Sequence, residues 1–246
     1  MQISYDLRFV ALSVLIAVIG SYAVLGILPL FTQKENESRF TAVTAGLLMG
    51  VGIWTMHFIG MKALKTEVQV NYDILITVLS IFPAVIGASA AFYMLIPKTT
   101  NKPSRQSLLI SALIMAISIS IMHYTGMAAM MMSARINYNY LLFTLSIIIA
   151  FVASYISLGY FVNFGSSRYI KFRRQRKTFT AILMGITISL MHYTGMAATN
   201  FIPDSTVSNN SPLLLNEYAL YGLAFYCGFM LIIVSLIVTV TGSKAR

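Results

Sequence analysis

Three histidines are the only imidazoles in the chain, and all three stand in the same local setting. They lie in Trp54-Thr55-Met56-His57-Phe58-Ile59-Gly60-Met61, Ser120-Ile121-Met122-His123-Tyr124-Thr125-Gly126-Met127 and Ser189-Leu190-Met191-His192-Tyr193-Thr194-Gly195-Met196. Each has a methionine just before it, a glycine three residues on and a second methionine four residues on. Positions four apart share a face of a helix, so His57 with Met61, His123 with Met127 and His192 with Met196 form three like pairs. Thioether sulfur selects Cu(I), and imidazole suits copper in either oxidation state. Mg²⁺ and Ca²⁺ want oxygen ligands, and no carboxylate falls within these segments. Zinc usually takes Cys, His or carboxylate rather than Met, whereas haem accepts His/Met or His/His. Copper is the first expectation and haem the second. Met56, Met122 and Met191 lie about 100° round the helix from their histidines and are candidates for a secondary shell of the metal. Gly60, Gly126 and Gly195 lack a side chain and are expected at close-packing contacts.

The elements that must position these residues are set by composition. Of 246 residues, 58% are apolar and only 10% charged, against about 25% charged in a soluble domain. With mean hydropathy of +0.79, the chain lacks the polar side chains to cover a water-facing surface. A soluble globular enzyme and a disordered chain are both excluded, and an integral membrane protein remains. The net charge of +10 would suggest nucleic acid in a soluble protein. Here it has another cause, because cytoplasmic loops of membrane proteins collect Lys and Arg, so no nucleic-acid partner is expected. The single cysteine, Cys227, allows no disulfide within the chain and reads as a packing residue.

Seven apolar stretches reach the ~20 residues that a spanning helix needs: roughly 8–31, 40–61, 74–97, 107–132, 139–164, 178–201 and 217–241. None alternates apolar with polar residues, so helices are expected rather than barrel strands. Seven spans put the termini on opposite sides. One side carries Arg8, Lys62, Lys65 and Arg135, and the other carries the remaining 13 basic residues. The second side is expected to be cytoplasmic, with the N-terminus outside and the C-terminus inside. The run from Arg168 to Lys177 reads as a topology anchor that also faces membrane lipids.

The chain repeats itself. Tyr5-Asp6, Tyr72-Asp73 and Tyr138-Asn139 open the odd spans, and the histidine motifs end the even ones, 66 and 69 residues apart. The predicted fold is all-α: three helical-hairpin repeats at about 5–66, 72–135 and 138–202, plus a seventh helix at about 217–241, in a single domain of residues 1–246. The hairpins share one orientation, so the histidines are expected toward the outer face, converging on a pseudo-threefold axis with the even spans inside. Met94, Met115 and Met184 are scattered candidates for a metal path, and Met130 to Met132 for an entry cluster, although packing explains each. No phosphate loop, hydrolase triad or carboxylate pair is present, and no catalytic activity is expected of these residues.

Met122-His123-Tyr124-Thr125 and Met191-His192-Tyr193-Thr194 resemble the signature of the MHYT domain, a bacterial integral-membrane sensor module. Met56-His57-Phe58-Ile59 departs from it at Phe58 and Ile59, so a role that needs a hydroxyl in every copy is not met. The resemblance covers nearly the whole chain. It implies seven spans in three repeats in the plasma membrane, copper held by the Met and His residues, and sensing of a diatomic gas (O2, CO or NO) or redox state. It also implies a C-terminal cytoplasmic signalling domain or partner that turns over cyclic di-GMP; a homodimer is a further expectation. A copper transporter or buffer, a haem- or copper-dependent membrane oxidoreductase, and a metal-free receptor are the rival readings.

Overall fold

A computed structural model describes residues 4–27, 35–66, 69–95, 103–165, 173–204 and 214–244. Its helices are α1 (Leu7–Ile27), α2 (Glu35–Lys62), α3 (Ile74–Leu79), α4 (Ile81–Met94), α5 (Arg105–Ala128), α6 (Tyr140–Gly165), α7 (Arg173–Ala197) and α8 (Glu217–Lys244). The third span is broken once, at Ser80, into α3 and α4. Among the described residues, seven segments are long and apolar enough to cross a membrane.

Short strands connect the spans at the histidine end: β1 (Ser4–Tyr5), β2 (Leu64–Lys65), β3 (Asn71–Asp73), β4 (Met130–Met131), β5 (Ala134–Tyr138), β6 (Thr199–Pro203) and β7 (Leu214–Asn216). They form three small antiparallel sheets, β1-β2, β4-β3-β7 and β5-β6. The sheets shorten two expected helices. The apolar run to residue 132 leaves the helix at Ala128, and Met130–Met131 pair with Asn71 and Tyr72. The run to residue 201 leaves it at Ala197, and Thr199–Pro203 pair with β5. Burial alternates along both segments, with Met130, Thr199 and Phe201 inward, and a short run of this kind does not by itself separate a strand from a helix end. The expected ends at 31 and 97 lie outside the described residues.

Side-chain packing builds two kinds of environment. α2, α5 and α7 touch one another at the centre, and α1, α4 and α6 pack around them. The outer helices present bulky apolar side chains outward, such as Ile86 of α4, Ile148, Val152 and Ile156 of α6, and Phe229 and Leu236 of α8. In water that surface would be unstable, whereas in lipid it costs nothing. The central helices are not equally enclosed. α5 exposes Leu109, Leu113, Ile117 and Ile121, and α7 exposes Ile182, Ile186 and Leu190, each a stripe at four-residue spacing. α8 packs on α1 and α2 and covers only the histidine end of the corresponding stripe of α2: Val43 and Leu47 are exposed, Val51 is half-buried and Thr55 lies beside Gly228 of α8. Thr55, which is equivalent to Ile121 and Leu190 by its distance from the histidine, is fully buried there.

Candidate metal centre

Each central helix continues five residues past its histidine before ending, at Lys62, Ala128 and Ala197. The turn beyond is fixed the same way three times. The backbone N–H groups of Asp6, Asp73 and Asn139 donate to the carbonyls of Ala63, Ala129 and Ala198 at 2.8, 2.9 and 2.8 Å. These bonds tie the start of an outer helix to the end of a central one, and so hold the three histidine-bearing turns at one level.

At that level the three side chains meet. His57, His123 and His192 are 0, 1 and 1% exposed. Their Nδ1 atoms form a triangle with edges of 3.1 Å (His57 to His192), 3.2 Å (His57 to His123) and 3.2 Å (His123 to His192). The rings stand at 87–88° to one another with centroids 5.0–5.1 Å apart, like the blades of a propeller. Each Nε2 points away from the triangle and has no hydrogen-bond partner.

The glycines explain how three rings fit. A Cβ on Gly126 would collide with the His57 imidazole, one on Gly195 with His123, and one on Gly60 with His192. Each ring therefore occupies the side-chain space of the glycine in the next motif, in a closed cycle. The group that comes close to each of these glycines is an imidazole rather than a helix backbone.

The triangle does not balance with protons alone. A neutral imidazole carries one N–H. If it is on Nε2, three Nδ1 lone pairs face one another with nothing between them. If one Nδ1 carries it, that group can donate along only one edge. Buried polar atoms left without partners cost about 1–3 kcal/mol each. A single cation at the centre would satisfy all three lone pairs. Nitrogens that share an ion at about 2 Å stand roughly 3–3.5 Å apart, so the donor set fits a three-nitrogen metal site. No carboxylate joins it: among the described residues the candidate ligand group is these three histidines.

The other expected site residues are buried as well. Met61, Met127 and Met196 are buried one turn beyond their histidines, and Met56, Met122 and Met191 are buried just before them. Met130 and Met132 are buried in and beside β4. The residues that sequence reasoning missed are aromatic. The residue after each histidine packs edge-on against its ring: Phe58 at 4.7 Å, Tyr124 at 4.8 Å and Tyr193 at 4.8 Å. Tyr124 and Tyr193 then bond through their hydroxyls to Ser146 of α6 and Ser13 of α1, both at 2.7 Å. Phe58 has no hydroxyl, and the equivalent serine, Ser80, accepts instead from Trp54 Nε1 at 3.0 Å. Phe58 contacts Tyr72 at 5.9 Å, and the Tyr72 hydroxyl meets that of Tyr221 on α8 at 3.2 Å. The signal was present: each of these serines lies eight residues after the tyrosine that opens its span.

Outside the spans, charge and burial are arranged to hold the cap. Burial pushes the Tyr72 phenol well above its ordinary value, with Tyr221 adding to the effect. Tyr138 is pushed up to about 12 by burial, with Tyr124 adding. Both remain neutral hydroxyls at physiological pH. Hydrogen bonds from Arg8 hold the Asp6 carboxyl well below the usual carboxylate range. All four basic residues of this end have acidic neighbours: Arg8 and Lys65 at Asp6 (2.7 and 3.8 Å), Lys62 at Glu217 (4.0 Å) and Arg135 at Asp204 (2.7 Å).

Fold and site together define a multi-pass membrane protein with a buried three-histidine centre near one end of its helices. Residues 50–111 and 117–170 match MHYT, the bacterial signalling protein N-terminal repeat, and the chain belongs to that family. It is 38% identical over 201 residues to the bifunctional diguanylate cyclase/cyclic di-GMP phosphodiesterase MucR of Pseudomonas aeruginosa, covering 80% of this chain and 28% of that protein. It is 34% identical to the signalling protein YkoW of Bacillus subtilis (82% and 25%) and 34% identical to the cyclic di-GMP phosphodiesterase NbdA of P. aeruginosa (79% and 24%). The chain thus spans about a quarter of the length of these curated relatives. No solved structure matches it.

Proposed function

We propose that this chain is the membrane sensory part of a signalling protein that controls cyclic di-GMP turnover, and that His57, His123 and His192 hold one copper ion. The observation that carries the reading is the buried triangle of three Nδ1 atoms with 3.1–3.2 Å edges, in which each nitrogen faces the other two. Imidazole suits copper in either oxidation state, and the thioethers of Met61, Met127 and Met196 one turn away favour Cu(I). Bound there, copper would supply a centre whose coordination answers to oxidation state or to a diatomic gas.

The rest of the reading concerns the protein's own residues. Three helical hairpins and a seventh helix, N-terminus outside and C-terminus cytoplasmic, account for the three equivalent cap bonds and the 13 to 4 division of basic residues. The imidazoles are wedged against the glycines of neighbouring motifs, so a change in their spacing shifts whole helices rather than single rings. Of the three aromatic contacts, the one through Phe58 and Tyr72 reaches α8. α8 leads to the C-terminus and to any output beyond it. The names of MucR and NbdA support cyclic di-GMP as that output.

Metal analysis of detergent-purified full chain tests the centre. Wild type is expected to hold or take up copper near one equivalent in the histidine triangle, and His57→Ala/His123→Ala/His192→Ala to lose that equivalent while still reaching the membrane. Full copper occupancy in the triple variant overturns the histidine site, and zinc in place of copper in wild type overturns the choice of metal.

A further inference from the structure

Two helical turns before each histidine stands another methionine: Met49, Met115 and Met184, each eight residues earlier. Eight residues is about 12 Å along a helix, so these residues lie well clear of the imidazole level. In sequence they are unremarkable, and Met49 falls outside every motif. In the structure all three are buried, at 2, 4 and 3% exposed. They line a single cavity of about 20 Å³ between the central helices and α6. Met191 lines the same space. Four of the thirteen lining residues are methionine, and three of them stand at the equivalent place in the three central helices. Between this layer and the histidines lie Ile53, Ile119 and Ile188, again one from each central helix.

We propose that Met49, Met115 and Met184 form a second metal site, distinct from the histidine centre, for one soft monovalent cation such as Cu(I) or Ag(I). Size, chemistry and charge support it. A cavity of about 20 Å³ holds roughly one water-sized body and therefore a single ion. Thioether sulfur is a soft donor that selects Cu(I) over hard divalent ions. The sulfurs are neutral, and the other polar groups lining the cavity are the neutral hydroxyls of Ser154, Ser157 and Thr187, so the ion's charge stays uncompensated; a monovalent ion suffers least from that in a largely apolar interior. Packing alone would not require sulfur, since leucine fills similar volume at a cost below about 1.5 kcal/mol. The site needs nothing from the histidines, and each stands or falls alone.

The test is the soft-ion stoichiometry of the full chain in detergent, measured with Ag(I) and with chelator-buffered Cu(I). Four forms are compared: wild type, His57→Ala/His123→Ala/His192→Ala, Met49→Leu/Met115→Leu/Met184→Leu, and Met61→Leu/Met127→Leu/Met196→Leu. Retention of fold in each is checked by circular dichroism and gel filtration. The histidine variant is expected to keep one Ag(I) or Cu(I) whose X-ray absorption shows sulfur-only ligation. The Met49 variant is expected to lose one equivalent relative to wild type and to keep the nitrogen-ligated ion. If the Met49 variant matches wild type in stoichiometry, the second site is overturned while the histidine site stands. If sulfur-bound ion is lost only in the Met61 variant, the second site is overturned in favour of the methionines beside the histidines. If the Met49 substitutions remove the only ion that wild type binds, the second site stands and the histidine reading fails. A single leucine substitution at Met184 is the fallback should the triple variant not fold, with at least a tenfold weaker Ag(I) affinity expected; unchanged affinity counts against the site.

Discussion

At its centre the molecule is threefold alike, and one step out it is not. The three imidazoles make edges of 3.1, 3.2 and 3.2 Å, and each is seated on the glycine of a neighbouring motif. The next shell divides two to one. Tyr124 and Tyr193 bond to Ser146 and Ser13. Phe58 bonds to nothing, and Trp54 takes the serine that a tyrosine would have reached. The odd member is on the side where α8 covers α2, and Thr55 replaces the lipid-facing Ile121 and Leu190 at that same place. The centre must be alike because donors that share one point must be equidistant from it. The outer shell is free to differ because each face has a different neighbour, and it differs where α8 docks.

Breaking the centre should have the largest effect. Any one of His57→Ala, His123→Ala or His192→Ala is expected to weaken metal binding by more than about 100-fold, beyond the loss from removing an outer-shell partner, as read by competition with a chelator. The three variants should be alike within a factor of a few. A variant with wild-type affinity would mean that the triangle does not act as one donor set.

Gly126→Ala comes next. Its new methyl group falls on the His57 ring, and overpacking of this kind costs about 1–3 kcal/mol. A lower melting temperature and a metal affinity reduced about tenfold are expected. Gly60→Ala and Gly195→Ala should behave the same way through His192 and His123. Equal metal affinity in all three and wild type would separate the glycine cycle from the donor geometry.

The outer shell should respond more weakly and unequally. Tyr221→Phe leaves the buried Tyr72 hydroxyl without its partner, a loss of about 1–3 kcal/mol. Tyr124→Phe removes a half-buried bond to Ser146, which also donates to the carbonyl of Phe143, and about 0.5–1.5 kcal/mol is expected. Neither should change metal stoichiometry. If Tyr124→Phe costs more than Tyr221→Phe in thermal unfolding, the α8 side is not the more tightly coupled one.

The smallest and most specific effect concerns Trp54 and Phe58. Phe58→Tyr should be unfavourable alone, because Ser80 is already engaged by Trp54. Combined with Trp54→Ser, the residue type of the other two motifs, it should recover part of that loss. A double-mutant cycle of about 0.5 kcal/mol or more would show the exchange, and strict additivity would show that the two residues are independent.

Much of this protein was legible in its sequence, for identifiable reasons. The scarcity of charge compelled a membrane solution, the length of the apolar runs compelled helices, and the seven spans recur in the structure. The three histidines were legible as a group because nothing else in the chain has their spacing and flanking residues. Their meeting at one level was legible too, since equivalent positions in repeated units come to equivalent depths. Tertiary structure alone decided the remainder. Periodicity names the face of a helix but not the neighbour across it, so the imidazole seated on each glycine could not be read from the motif. Apolar runs do not distinguish a helix end from a short strand, so Met130–Met131 and Thr199–Phe201 read as helix in the sequence. Met115 and Met184 read as scattered residues and Met49 belongs to no motif, because a space shared by residues 66 and 69 positions apart exists only once three helices are packed. Sequence fixes which donors are available, and packing determines which of them share a space.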